Sequence, residues 1–220
     1  MIVLRAEVPV SNDIKRKIAY SCDVDEDSVI VAADAPTIYQ VPLNFLDQDI
    51  LAPICKQLDL DDCQPNMDKW RDLVHKIIMP SDTMKIAFVG KYLDLKESYK
   101  SLTEALIHAG AHLDTKVEIK WVDSEKVEDD GAQKYLNDCH GVLVAGGFGG
   151  RGVEGKIQAI QYARENKIPF LGICLGMQLS MVEYARNVLG VADANSVEFD
   201  EDTKNPIIYL IDEFIDASGS

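Results

Sequence analysis

Pro169-Phe-Leu-Gly-Ile-Cys-Leu-Gly-Met-Gln178 is the stretch from which the rest of the chain is best read. An apolar strand runs into Cys174, glycines stand at Gly172 and Gly176, and a helix-forming segment follows. This is a Gly-x-nucleophile-x-Gly elbow with cysteine in the position that serine holds in hydrolases. Glycines on both sides permit a tight, strained turn and close approach of neighbouring backbone. The helix N-terminus then aims its dipole and free N–H groups at the sulfur, which favours the thiolate. A buried structural cysteine is the plainer alternative.

Outward from the elbow, strands and helices alternate. From Met84 the pattern predicts strands over 85–89, 117–122, 141–145 and 169–173, and helices over 99–109, 132–139, 153–166 and 174–189. Alternation of this kind implies an α/β fold with a parallel sheet flanked by helices. Ligands of such sheets sit at the carboxyl ends of strands, after Val89, Ala145 and Ile173. The loop after the third strand, Val144-Ala-Gly-Gly-Phe-Gly-Gly-Arg-Gly-Val-Glu-Gly155, is dense in glycine. Its backbone N–H groups can face a developing oxyanion, cradle a phosphate or simply turn the chain. It fits neither GxxxxGK[ST] nor a well-placed GxGxxG.

Before residue 80 the pattern is different. Residues 1–5 read as a buried strand, Ser11 can cap a helix to about Ser21, and 28–32 form a short apolar strand. A helix covers 67–79 with Trp70, Leu73, Val74, Ile77 and Ile78 on one face. Pro80-Ser-Asp-Thr83 is a polar break. The expected division is therefore 1–79, a linker at 80–84, and 85–220. A strand opening at residue one suggests chain upstream of it.

Composition sets outer limits. With 22 basic and 37 acidic residues the net charge is −15, which argues against nucleic acid or an anionic membrane as partner. No apolar run reaches the roughly 18 residues of a membrane span, and no signal peptide is visible. The five cysteines, Cys22, Cys55, Cys63, Cys139 and Cys174, form no CxxC pair. A disulfide framework or zinc ribbon is not suggested, and a reducing cytoplasmic compartment is expected. His108 and His112 lie at helical i, i+4 spacing with no further ligand set around them, so no metal site is expected.

Two glycine motifs together carry a resemblance. Gly-Gly-Phe-Gly-x-Arg-Gly-x-x-Gly followed by Gly-Ile-Cys-Leu-Gly-Met-Gln resembles the glutaminase domain of the CTP synthase family, as do Val89-Gly-Lys-Tyr92, Tyr99-Lys-Ser101 and Ala194-Asn-Ser-Val-Glu-Phe199. Arg5-Ala-Glu-Val-Pro-Val-Ser11 and Lys17-Ile-Ala-Tyr-Ser-Cys-Asp-Val24 resemble the last part of that family's synthetase domain. The resemblance implies a class I glutamine amidotransferase-like sheet, incomplete here, preceded by the tail of an α/β nucleotide-binding synthetase domain. It implies amination of UTP to CTP with ammonia from glutamine, using ATP and Mg2+, with GTP as activator and a homotetramer as the assembly.

Residue by residue, the resemblance makes Cys174 the nucleophile, the N–H groups of Gly147 and Leu175 the oxyanion hole, and Gly147, Leu175, Gly176, Met177, Gln178 and Glu198 the glutamine contacts. It links Lys17 to UTP or CTP, Ala35 to ATP, and Arg151 and Lys100 to GTP activation. On the residues alone, Glu198 is one more acid in an acidic stretch and Lys17 a solvated lysine beside Lys15 and Arg16.

The family's nucleophile works with a histidine and a glutamate near the far C-terminus. The four histidines here, His75, His108, His112 and His140, all precede Cys174. The family's phosphate-binding loop and magnesium carboxylates are not in the sequence either. The expectation is a piece of a glutamine-dependent ligase, inactive alone. The alternatives are a non-catalytic module that binds glutamine or a partner, and a different class I amidotransferase, against which the first 80 residues count.

Overall fold

The computed structural model describes residues 1–91, 97–147 and 149–210. Tyr92, Phe148 and the stretch 216–220, which entered the sequence reading, lie outside the described residues. The chain divides into two compact units: Met1–Asp82 with Ala109–Lys116, and Thr83–His108 with Val117–Ser220.

In the first unit, β1 (Ile2–Ala6) and β2 (Val29–Ala33) pair in parallel from Ile2↔Val29 to Ala6↔Ala33. Helix α1 (Asn12–Ser21) joins them, as parallel pairing requires a crossover. Ser11 stands at its N-cap in extended backbone but makes no side-chain cap hydrogen bond, so the expected cap is positional only. Two helices that the sequence reading left unassigned follow, α2 (Val41–Leu46) and α3 (Leu51–Leu58), and then α4 (Asp68–Ile78). Gln48, just past α2, continues the sheet with a side chain: it accepts from the Val31 N–H and donates to the Val31 carbonyl, each at 2.9 Å.

The second unit is built on a four-stranded sheet. Its strands are β3 (Asp82–Gly90), β4 (Thr115–Asp123), β5 (Gly141–Val144) and β6 (Phe170–Gly172), in the order β4-β3-β5-β6. β3 pairs with β5 and β5 with β6, both in parallel. Alternate residues of β3 and β5 enter two different cores. Ala87, Val89, Val142 and Val144 pack with residues of α6 (Ser124–Asp130), α7 (Gln133–Leu136), α8 (Val153–Glu165) and α9 (Leu175–Asn187). Phe88, Leu143 and Ala145 pack with Leu102 and Leu106 of α5 (Lys100–His112), and with Tyr99 and Trp121. Burial on both faces explains why β3 and β5 read as near-continuous apolar runs.

The helix expected over 132–139 is only the short α7, and α6, which the sequence reading left unassigned, precedes it and ends at Gly131, φ +87. Two short strands missed in the sequence, β7 (Ala194–Ser196) and β8 (Asn205–Ile208), pair in parallel after α9. In chain order the sheet reads second, first, third, fourth, so the direction of winding reverses between β3 and β5. That crevice is where an open α/β sheet takes its ligand. No helix among the described residues is long and apolar enough to cross a membrane.

Candidate active site

Cys174 is the N-cap of α9, with φ 54° and ψ −112°, outside the regions that non-glycine residues favour. Its neighbours show why the turn needs glycine. A Cβ on Gly172 would stand 2.6 Å from the carbonyl of Gly176, and one on Gly176 would stand 2.1 Å from the Val144 oxygen of β5. The helix start is thus pressed against the sheet, and strain at Cys174 is held by packing on both sides. Cys174 is exposed, so it is not a structural thiol sealed in the core.

The glycine-rich loop lies against this elbow through Gly146. A Cβ there would meet Cys174 Cβ at 3.1 Å and its sulfur at 3.7 Å. Gly147 follows at φ +138, a conformation open to glycine. Leu175, the first residue of α9, has an N–H with no acceptor inside the helix. Met177 and Gln178 both donate backbone N–H to the Cys174 carbonyl, at 3.0 and 3.2 Å. The site therefore brings together Cys174, Gly146, Gly147 and the first turn of α9.

Glu198 arrives from the segment after β7. Its N–H donates to Ser196 Oγ at 3.2 Å, and neighbouring Phe199 reaches within 3.9 Å of a Cβ placed on Gly150. The Glu198 carboxylate also acts electrostatically on Lys91. Arg151 pairs with Glu125 at 2.7 Å. Lys100 pairs with Glu104 at 2.7 Å, one helical turn away, and that hydrogen bond raises its pKa.

Lys17 and Ala35 belong to the first unit. Lys17 is exposed on α1, and Ala35 is half-buried just after β2, beside the ion pair of Arg5 with Asp34. Magnesium would call for several oxygen ligands. Among the described residues no group of three His, Cys, Asp or Glu side chains is placed to hold a metal ion, His108 and His112 included. The residues present do not fit a magnesium site, and no step below runs through one.

The sequence reading gave no role to two lysines near the elbow. Lys91, directly after β3, is 3% exposed and donates to the Gly149 carbonyl at 2.5 Å. Burial, then Arg151, lowers its pKa, against an upward pull from Glu125 and Glu198. Lys156, on α8, is 0% exposed and donates to the Ala145 carbonyl at 3.0 Å. A signal was present: 156 shares the helix face of Val153, Ile157 and Ile160, which the i, i+3, i+4 spacing marks as buried.

The chain is similar to known proteins along its length. Residues 94–208, just over half of the chain, match the family described as glutamine amidotransferase class-I, and residues 1–60 match that described as CTP synthase N-terminus. Proteins named CTP synthase from Nautilia profundicola and Campylobacter jejuni are each 65% identical to it, over 100% of this chain and 41% and 40% of theirs. The chain thus spans about two fifths of the length of these curated relatives. Among solved structures, the Trypanosoma brucei CTPS glutaminase domain with bound acivicin superposes with a TM-score of 0.57 at 41% identity, over 62% of this chain and 53% of that one. The chain belongs to the class-I glutamine amidotransferase family, and along its whole length it is similar to CTP synthases.

Proposed function

We propose that this chain carries the nucleophile half of a glutamine-hydrolysing site. The observation that carries the reading is an exposed Cys174 at a strained strand-to-helix turn, with Gly146 against its sulfur. In the reaction the Cys174 thiolate adds to the side-chain amide carbon of glutamine, and the carbonyl π electrons move to oxygen. The N–H groups of Gly147 and Leu175 hold that oxyanion. The tetrahedral adduct collapses as its nitrogen takes a proton and leaves as ammonia. A thioester remains, which water cleaves to glutamate and free thiol. The first turn of α9, Leu175 to Gln178, receives the rest of the substrate, and Glu198 pairs with its ammonium.

For the whole protein the reading extends to CTP synthesis: ATP-driven amination of UTP by that ammonia, with GTP activating through Arg151 and Lys100, and a homotetramer as the working form. Residues 1–79 then close a synthetase domain in which Lys17 meets UTP or CTP and Ala35 meets ATP. Residues 80–84 link it to the front of the glutaminase domain, 85–220. Identity to CTP synthases in both units supports this extension.

For these 220 residues taken by themselves, which hold Cys174 but no histidine after it, the second reading is a module that binds glutamine without hydrolysing it. General acid–base catalysis contributes on the order of 10²–10⁴-fold, so the 220-residue chain alone is expected to release ammonia slowly and to make no CTP. Two measurements decide. A glutamine analogue with a chloroketone in place of the amide should form a thioether at Cys174 with loss of chloride, and glutamine should protect. Equal labelling of Cys22 and Cys63 would remove the nucleophile assignment. Fast, Cys174-dependent ammonia release, absent in Cys174→Ala, would show that a base is already present and would end the binding-module reading.

A further inference from the structure

Lys156 has no part in the chemistry described so far, yet it is the most fully buried cation near the elbow. Its long side chain lies on a helix face otherwise made of Val153, Ile157, Ala159, Ile160 and Ala163. Removing an ammonium from water is unfavourable unless something compensates. Burial, with Lys91 adding repulsion, pushes its pKa down to about 8, while the Cys174 sulfur draws it upward. Among the described residues no carboxylate takes part in that balance. An apolar side chain of similar volume would fill the same space without the desolvation penalty. Packing alone gives no reason for a lysine here.

Its hydrogen bond gives one. Lys156 Nζ donates to the carbonyl of Ala145 at 3.0 Å. That carbonyl shares its peptide group with the N–H of Gly146, the residue lying against the sulfur. A cation on the oxygen polarises the whole peptide and makes the Gly146 N–H a stronger donor. At the other end of the loop Lys91 donates to the Gly149 carbonyl at 2.5 Å. The backbone at residues 145 and 149 is therefore tied by two buried ammonium groups, with Cys174 beside the first. Glu125, Glu198 and Arg151 face Lys91 and modulate the far end.

We infer that Lys156 is a positioning residue for Cys174: anchored on Ala145, it fixes the Gly146–Gly147 backbone opposite the sulfur and keeps a positive charge beside it. The inference rests on the reading of Cys174 as nucleophile, and its test needs no turnover. The 220-residue chain and its Lys156→Met, Lys156→Gln and Lys156→Arg variants are treated briefly with iodoacetamide across a pH series, and each thiol is quantified by peptide mapping. Folding is checked by circular dichroism, and Cys22 is the internal reference.

Loss of the charge in Lys156→Met should slow Cys174 relative to Cys22 by about tenfold near neutral pH. Lys156→Arg should recover most of the rate, which a role in packing alone would not predict. Lys156→Gln is uncharged and one atom too short to reach Ala145 from the same backbone position, so it should behave as Lys156→Met does. If the methionine variant does not fold, the glutamine variant decides. A Cys174 rate within about twofold of the parent in a folded, uncharged variant overturns the inference. If Cys174 in the parent chain reacts no faster than Cys22, the nucleophile reading falls, and this inference with it.

Discussion

The two units use their apolar residues in different ways. In the first, burial is concentrated in Val29, Ile30 and Val31 of β2, with single residues Ala19, Leu43, Cys55 and Val74 brought in by helices. In the second, consecutive residues of β3 and β5 are buried on both faces, and helix packing is close enough that Gly155 has no room for a side chain: a Cβ there would stand 1.8 Å from the Ser124 carbonyl. A strained residue such as Cys174 survives only where its surroundings over-determine it, and the second unit supplies such surroundings. The first presents Lys17 on an exposed helix face. The chemistry of the second unit can be argued from geometry, whereas that of the first rests on similarity.

The largest expected effect strikes that packing. In Gly176→Ala the new methyl meets the Val144 oxygen, backbone against backbone, so neither can rotate away. Overpacking of this kind should cost about 3 kcal/mol or more. The two tryptophans fall one to each unit, Trp70 in the first and Trp121 in the second, so single-tryptophan versions report each separately in urea. The Trp121 transition should move to much lower urea and the Trp70 transition should hold. Equal movement of both would break the contrast.

How far this could be read from sequence depends on where the cause lies. The elbow was legible because Gly172, Cys174 and Gly176 sit close together in the chain and their spacing is itself the geometry. The alternation of β3 to β6 with helices was legible for the same reason, since each apolar run is local. α2 and α3 were not, because Pro42 and Pro53 within short segments mask their periodicity. The tie from Lys156 to Ala145 spans 11 residues, and only folding shows that its acceptor is a carbonyl beside the sulfur. Gly146 likewise gave no sign of lying closer to Cys174 than Gly147 does.

Next in size is the pH dependence of stability from Lys156. The folded chain holds this group at about 8, below its ordinary 10.5. Between those values the unfolded chain binds more protons, so stability from this group rises with pH across that window and is lowest beneath it. The full span corresponds to on the order of 3 kcal/mol. Urea midpoints of the Trp121 transition should climb as pH rises through the window, and the climb should be missing in Lys156→Met. The same slope in both proteins would mean that another group produces it.

Smaller again is the contrast among thiols. Cys22 and Cys63 in the first unit are exposed, as Cys174 is. Equal exposure would predict equal alkylation, whereas a helix N-terminus and the buried Lys156 ammonium beside Cys174 predict preference. The expected ratio is about tenfold in favour of Cys174 near neutral pH, equivalent to about 1.4 kcal/mol. Raising salt to molar levels should leave most of the preference, because buried charges are poorly screened. Collapse of the ratio in salt would assign it to surface charge instead.

The smallest effect is expected at Lys17, and it tests the first unit's claim to a nucleotide. Lys17 lies one turn from Asp13, beside Arg16, whose guanidinium pairs with Asp13 and Glu26 at 3.3 and 3.4 Å. Truncation of a side chain on so solvated a face should change stability by no more than about 0.5 kcal/mol. A nucleoside triphosphate held by this unit would add RT ln(1 + [L]/Kd), about 2.7 kcal/mol at roughly 100 Kd. One exposed ammonium amid carboxylates is a poor substitute for the convergent donors that phosphate needs. The Trp70 transition of the 220-residue chain should therefore not move when UTP or ATP is added with magnesium, in the parent or in Lys17→Ala. A rise in the parent that Lys17→Ala abolishes would show that this unit holds nucleotide by itself, and the contrast with the second unit would narrow to one of degree.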